Sequence, residues 1–162
     1  MRQALRLLER LDDSVYSGIA AGFAPHRVGA HLRHILEFYQ CFLDGLDASH
    51  IDYDSRRRDE SIERCRHTAS IAIRSIIHAL CTRAEQERII WVRMEDAEAS
   101  GVGDSFMESS VSRELQVLSS HTVHHFALIG MTLRAHGALI DPDFGMAPST
   151  LRHLASKTEE AA

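Results

Sequence analysis

The amino-acid sequence predicts an all-α protein built as a four-helix bundle, and three observations support this fold class. Four long segments carry apolar residues at helical spacing. The length of 162 residues suits a single domain, residues 1–162, that can bury a core of its own. One long segment between the second and third helices has no apolar period, and we interpret it as a crossover loop.

The helical segments are separated by residues that favour breaks. Helices are expected over about residues 2–22, 27–46, 61–83 and 110–135. The sequence "GFAPH" (22–26) ends the first helix and places Pro25 where it can start the second. Ser61 is a candidate cap for the third helix, which otherwise begins one turn earlier. Gly137 is expected to end the fourth helix.

Two shorter segments complete the expected fold. The stretch "RIIWVRME" (88–95) is β-branched and aromatic, so it predicts a strand, and "FMESS" (106–110) predicts its partner. Together they would form a small hairpin between helices three and four. The tail "DPDFGMAPSTLRHL" (141–154) predicts a turn followed by a short C-terminal helix, with Ser149 as its cap.

Composition narrows the class of protein. The net charge is −5, which argues against a nucleic-acid binder because such proteins usually carry a basic excess. No apolar run is long enough for a transmembrane helix, and the N-terminus does not read as a signal peptide, so we expect a cytoplasmic protein. The cysteines form no metal-binding or redox motif and are expected to be reduced thiols: Cys41, Cys65 and Cys81.

Histidines interrupt the apolar face of the fourth helix. On a helical wheel with His121 at zero, His125 lies at roughly 40°, inside the apolar stripe, and His124 lies at roughly −60°, at its edge. His121 and His125 therefore both point into the predicted core, one turn apart. This spacing lets two imidazoles reach one metal ion.

The second helix presents histidine to the same interior. His31 falls inside its apolar stripe and His34 at the border, near roughly −60°. A single inward histidine is more often a hydrogen-bonded core residue, but a facing pair on another helix favours a metal site. Three neutral imidazoles suit zinc, nickel, copper or iron and leave one coordination position open. His34 is then either a fourth ligand or a supporting group beside the ligands.

Four motifs together resemble the DinB-like family of metal-binding four-helix-bundle proteins. They are "VGAHLRHILEFY" (28–39), "IDYDSRRRDESIE" (51–63), "SRELQVLSSHTVHHFALIGMTLRAHG" (112–137) and "DFGMAPSTL" (143–151). The resemblance implies a divalent-metal site with His31, His121 and His125 as ligands, and it makes a homodimer plausible. Its characterised members include thiol transferases and isomerases that use bacillithiol, mycothiol or similar thiols.

The leading hypothesis is therefore a metal-dependent thiol transferase acting on a small-molecule electrophile, with zinc, nickel or iron as cofactor. The metal would lower the pKa of a low-molecular-weight thiol. The alternatives are a metal-dependent hydrolase and a non-catalytic, stress-associated dimer that only binds metal. We expect neither a nucleic-acid nor a membrane partner.

Charged residues other than the histidines are also considered as candidate site residues. Arg56, Arg57 and Arg58 could hold the carboxylates of a peptide-like thiol. Alternatively, they belong to a solvated loop in which they pair with Asp52, Asp54 and Asp59. Glu114 lies on the inward stripe of the fourth helix, where it would pair with an arginine or support the site. Glu37 is expected to be solvated.

Overall fold

The computed structural model describes residues 1–18, 27–84, 86–94 and 106–160. This part of the chain is mostly helical and carries one small three-stranded sheet. The helices are α1 (Arg2–Arg10), α2 (Asp13–Tyr16), α3 (Val28–Gly45), α4 (Glu60–Arg64), α5 (Arg66–Arg83), α6 (Val111–Ala135) and α7 (Pro148–Glu160). The strands are β1 (His50–Asp52), β2 (Ile89–Arg93) and β3 (Met107–Ser110). Within these ranges no helix has both the length and the apolar character required to cross a lipid bilayer.

The core is centred on α3, which contacts both α5 and α6. Leu32, Ile35 and Phe42 of α3 have no exposed surface. They are three and seven residues apart, so helical geometry places them near one another on the buried side. Burying a side chain of this size contributes about 1.5–3 kcal/mol. The observed helix matches the one predicted over residues 27–46.

The first predicted helix is divided in two. The backbone of Leu11 is extended (φ −87°, ψ 137°), and so is that of Asp12, which precedes α2. This break turns the side chain of Leu11 into the core, where it is 7% exposed. The predicted end of this helix and the break containing Pro25 lie outside the described residues.

The segment expected to be a loop contains regular structure. Strand β1 pairs in parallel with β2, with Ile51 opposite Val92. Strand β2 pairs antiparallel with β3, with Trp91 opposite Glu108. The predicted strand pair is therefore confirmed, and its connecting turn lies outside the described residues. Strand β1 was not predicted.

The predicted third and C-terminal helices differ from the structure at their starts, whereas the predicted start of the fourth helix agrees with it. The third predicted helix is interrupted at Cys65, whose backbone is extended (φ −132°, ψ 111°), giving α4 and α5. Asp59, not Ser61, caps α4, because its Oδ1 accepts a hydrogen bond from the backbone N–H of Ser61 at 2.9 Å. The hydroxyl of Ser110 caps α6 by accepting from the backbone N–H of Arg113. Helix α7 begins at Pro148, so Ser149 lies inside it and is not its cap.

Candidate metal centre

Helices α3 and α6 bring five of the eleven histidines into one cluster. His31 and His34 come from α3, and His121, His124 and His125 come from α6. Each helix places its histidines on adjacent turns, and the packing of α3 against α6 then brings the two sets together. The predicted meeting of imidazoles from two separate helices is present.

Three of these imidazoles have a geometry that could hold a metal ion. One ring nitrogen from each of His34, His121 and His125 lies within 4.8 Å of the others. The Nε2 atoms of His121 and His125 are 3.0 Å apart. Nitrogens bound to one tetrahedral zinc at about 2.0–2.1 Å would be separated by roughly 3.3 Å. The distance between the Nε2 atoms of His121 and His125 is close to that value.

His31 lies on another side of His125. Its Nδ1 is 2.9 Å from Nδ1 of His125, and the two ring centroids are 5.1 Å apart. The structure thus brings all three predicted ligands together, but His34 completes the group of mutually close nitrogens. The ligand set His31, His121 and His125 stays a prediction. His124 is exposed, with its ring 5.2 Å from that of His125, and it is not part of the group.

The surroundings keep these imidazoles uncharged at neutral pH. Burial lowers the pKa of His34 to about 4 and that of His125 to about 3, and the nearby imidazoles add to both effects. Burial also lowers the pKa of His121. A neutral imidazole has one lone pair free for a metal ion.

The contacts of His125 are compatible with metal binding. The rings of His31, His125 and His121 form two successive N···N contacts. When all three rings are neutral, each contact is a hydrogen bond that contains one proton. A divalent metal can replace the proton between the Nε2 atoms of His121 and His125, since ligand imidazoles use the same lone pairs. The other ring nitrogen of His121, Nδ1, is buried and has no hydrogen-bond partner among the described residues. Burial of this nitrogen therefore carries a desolvation cost.

Phe38 and Arg56 border the histidines. The Phe38 ring lies 4.6 Å from the ring of His121 and 4.9 Å from that of His34, measured between centroids. The Arg56 guanidinium lies over the Phe38 ring at 4.0 Å and donates a hydrogen bond to the carbonyl of Tyr53. Phe38 was not among the predicted site residues. Its position one turn after His34 on α3 is the sequence signal for this contact.

A cavity of about 380 Å³ opens beside this border. Arg56 and Arg57 both line it, whereas Arg58 is not among its lining residues. Asp52, another lining residue, is engaged by Arg93 and by the hydroxyl of Ser55, so it does not serve as the predicted partner of the three arginines. The carboxylate-binding interpretation of Arg56 and Arg57 is therefore compatible with where they lie.

The thiol of Cys41 lies on the wall of the same cavity. It donates a hydrogen bond to the carbonyl oxygen of Asp52 at 2.9 Å. Burial raises the pKa of Cys41 to about 11. Since the thiolate is the reactive form, this shift disfavours Cys41 as a nucleophile at neutral pH. Cys65 and Cys81 are exposed free thiols.

Glu114 is buried and binds hydroxyl groups. It is 5% exposed. Its Oε2 accepts from the Tyr53 hydroxyl at 2.8 Å, and its Oε1 accepts from the Ser109 hydroxyl at 2.6 Å. No arginine within the described residues forms an ion pair with it, which differs from the predicted pairing. Glu114 joins α6 to the segment that carries Tyr53 and so supports the position of Arg56.

Glu37 was expected to be solvated, and this prediction is wrong. It is 7% exposed. Its Oε1 accepts from Arg33 at 3.3 Å and from the backbone N–H of Asp59 at 3.0 Å. The segment before α4 folds over Glu37, and burial raises the pKa of its carboxyl. Helical angle alone could not show this cover, because it comes from residues 22 positions away.

Comparisons with known proteins add a partial likeness. No protein-family model matches the chain, and no solved structure matches it. FK506-binding protein 5 from Rhizopus delemar is 32% identical over 108 residues, which are 64% of this chain. The match spans 27% of the length of that protein.

Proposed function

We propose that this protein binds one divalent transition-metal ion through His34, His121 and His125 and uses it as a thiol transferase. The observation that carries the proposal is the convergence of three ring nitrogens, from two helices, within 4.8 Å of one another. The donor set consists of neutral imidazoles, which suit zinc, nickel or iron better than magnesium or calcium. Three protein ligands leave a coordination position for a small molecule.

We also propose that the main helices form a four-helix bundle. Helices α1, α3, α5 and α6 are the four helices of a bundle, with α3 against α5 and α6, and α1 against α5. The resemblance to DinB-like proteins supports this arrangement. Bundles of this kind build metal sites from side chains on facing helices, as the histidines of α3 and α6 would here.

A metal ion bound here would act as a Lewis acid that lowers the pKa of a thiol, so that the thiol reacts as the thiolate. The chain's own residues orient the reactants. Arg56 and Arg57 bind carboxylates of the thiol in the neighbouring cavity. Phe38 shields the histidines from water on the side of Arg56. The sulfur forms a bond to an electrophilic carbon, the leaving group departs with the electron pair of the broken bond, and the thiol proton passes to solvent.

A turnover assay tests the proposal. Chelator-treated protein is reloaded with Zn²⁺, Ni²⁺ or Fe²⁺ and mixed with chlorodinitrobenzene and one of three thiols: glutathione, cysteine or mercaptoethanol. We expect metal-dependent formation of the thioether with at least one of the two carboxylate-bearing thiols. The activity should be lost in His125→Ala and kept in His124→Ala, because His124 is an exposed neighbour outside the group.

Two results would contradict the proposal. Stoichiometric metal binding without turnover for any thiol would leave a metal-binding protein that is not a transferase. Equal turnover in His125→Ala and wild type would remove the metal centre from the reaction. The partial likeness to an FK506-binding protein does not bear on the thiol reaction, since it covers 27% of that protein.

A further inference from the structure

His125 contacts His31 through one ring nitrogen and His121 through the other, and these two neighbours have different roles. We infer that His31 is a positioning residue that accepts a hydrogen bond from Nδ1–H of His125 and thereby directs the Nε2 lone pair of His125 to the metal. This inference rests on the proposed metal centre. It differs from the ligand set that the family resemblance implies, in which His31 itself binds the metal.

The two ring nitrogens of His125 face different partners. Nδ1 is 2.9 Å from Nδ1 of His31, and Nε2 is 3.0 Å from Nε2 of His121. The lone-pair directions of the two nitrogens in one imidazole diverge, so a single ring can give only one of them to a given ion. His31 and His121 therefore cannot both join His125 around the same ion in this arrangement.

The position of His34 decides on which side of His125 the ion lies. The His34 ring is 4.8 Å from the ring of His125 and 5.0 Å from that of His121. His34 therefore lies beside both of the rings whose Nε2 atoms are paired, and the three residues form the group of mutually close nitrogens. The ion lies on the Nε2 side of His125, and the Nδ1 side is left to His31.

The position of the proton on the His125 ring determines the role of His31. A neutral imidazole carries one N–H, and a metal ligand uses the nitrogen that lacks it. If His125 binds the ion through Nε2, its proton is on Nδ1, which is 2.9 Å from Nδ1 of His31. His31 then accepts through Nδ1 and carries its own proton on Nε2. Hydrogen-bond partners of this kind fix the tautomer and orientation of metal-bound histidines.

The test is a nitrogen NMR spectrum of protein labelled with ¹⁵N at histidine, recorded with one equivalent of Zn²⁺. We expect metal-bound nitrogen shifts for His34, His121 and His125, a protonated Nδ1 on His125, and no metal-bound nitrogen on His31. A metal-bound nitrogen on His31, or a protonated Nε2 on His125, would overturn the inference.

Two substitutions at one position add an affinity readout. His31→Leu should weaken Zn²⁺ binding by about 10–100-fold while three rings stay coordinated. His31→Asn should restore an affinity close to wild type, because Oδ1 of asparagine occupies nearly the place of Nδ1 and also accepts. His34→Asn, the matched control on the same helix, should lose a coordinated ring.

The outcomes separate the two proposals. A drop from three coordinated rings to two in His31→Leu, or equal losses of affinity in the Leu and Asn variants, would make His31 a ligand or a packing residue and overturn the inference. Failure of the wild-type protein to bind Zn²⁺ at all would overturn the proposed function itself.

Discussion

The Nε2 atoms of His121 and His125 lie 3.0 Å apart on successive turns of α6. This pair is local in sequence and follows from helical spacing alone. The third close imidazole, His34, is supplied by the packing of α3 against α6. The candidate centre therefore depends on the fold remaining intact as well as on the histidines themselves.

The hydrogen bond between Tyr53 and Glu114 should contribute measurably to stability. Tyr53→Phe leaves one oxygen of a buried carboxyl without its donor, which costs about 2 kcal/mol. Urea unfolding measures this loss. Tyr39→Phe is the matched control, because the Tyr39 hydroxyl faces a neutral hydroxyl, that of Thr122, at 3.2 Å. It should cost about 1 kcal/mol or less. Equal losses in both variants would contradict a special role for the carboxyl.

The stability contributed by Asp52 should depend on pH. The hydrogen bonds from Arg93 and then Ser55 lower the pKa of Asp52 to about 2 from its ordinary value of 3.8. A lowered carboxyl pKa stabilises the folded state above the ordinary pKa, and the effect is lost as the pH falls from 3.8 towards 2. Asp52→Asn should cost about 1 kcal/mol at neutral pH, since solvent screens part of the interaction.

The measurement compares urea unfolding of Asp52→Asn and wild type at several pH values from neutral down to about 3. The difference in free energy should shrink below the ordinary pKa of the carboxyl. Asp44→Asn, at an exposed position, is the control and should show little difference at any pH. A difference for Asp52→Asn that stays constant down to low pH would contradict the assignment.

Close contact between α3 and α4 should make Gly29 intolerant of a side chain. A Cβ there would lie 2.1 Å from the backbone oxygen of Glu63, so Gly29→Ala should destabilise the fold by about 2 kcal/mol. Gly130→Ala is the matched control inside α6. Its Cβ would first meet the flexible end of Arg134 at 3.0 Å, and higher helix propensity should stabilise it by up to about 1 kcal/mol. Chemical denaturation that gives the same sign for both would contradict this packing.

Substitution of Arg57, which lines the cavity, should affect thiol binding more than substitution of Arg58, which does not. Both arginines are exposed, but only Arg57 lines the cavity. If the proposed thiol reaction holds, Arg57→Met should raise KM for glutathione by about tenfold, the value of one charge-assisted hydrogen bond. KM for mercaptoethanol, which has no carboxylate, should not change. Steady-state kinetics of both variants make the comparison, and an equal effect of Arg58→Met would contradict carboxylate binding in the cavity.

Sequence periodicity was sufficient to predict the features that depend on residues close together in the sequence. The bounds of α3 and α6, the inward positions of His121 and His125, and the pairing of β2 with β3 all follow from local spacing. His34 was placed only at the border of its stripe. Its contact with α6 depends on how α3 sits between α5 and α6, which helical angle on one helix does not determine.

Other features depend on contacts between distant segments. Strand β1 has three residues, too few to show an alternating pattern, and it forms by pairing with β2 about 40 residues later. Glu37 is buried by the backbone of Asp59. The extended residues Leu11 and Cys65 interrupt segments whose apolar spacing continues across the break.

Equilibrium titration with Zn²⁺ against a competing chelator shows whether imidazoles from α3 and α6 bind one metal ion. We expect one ion per chain in wild type and in His124→Ala, with binding at least about 100-fold weaker in His34→Ala and His125→Ala. Absence of stoichiometric binding in wild type, or equal affinity in all four proteins, would contradict this expectation.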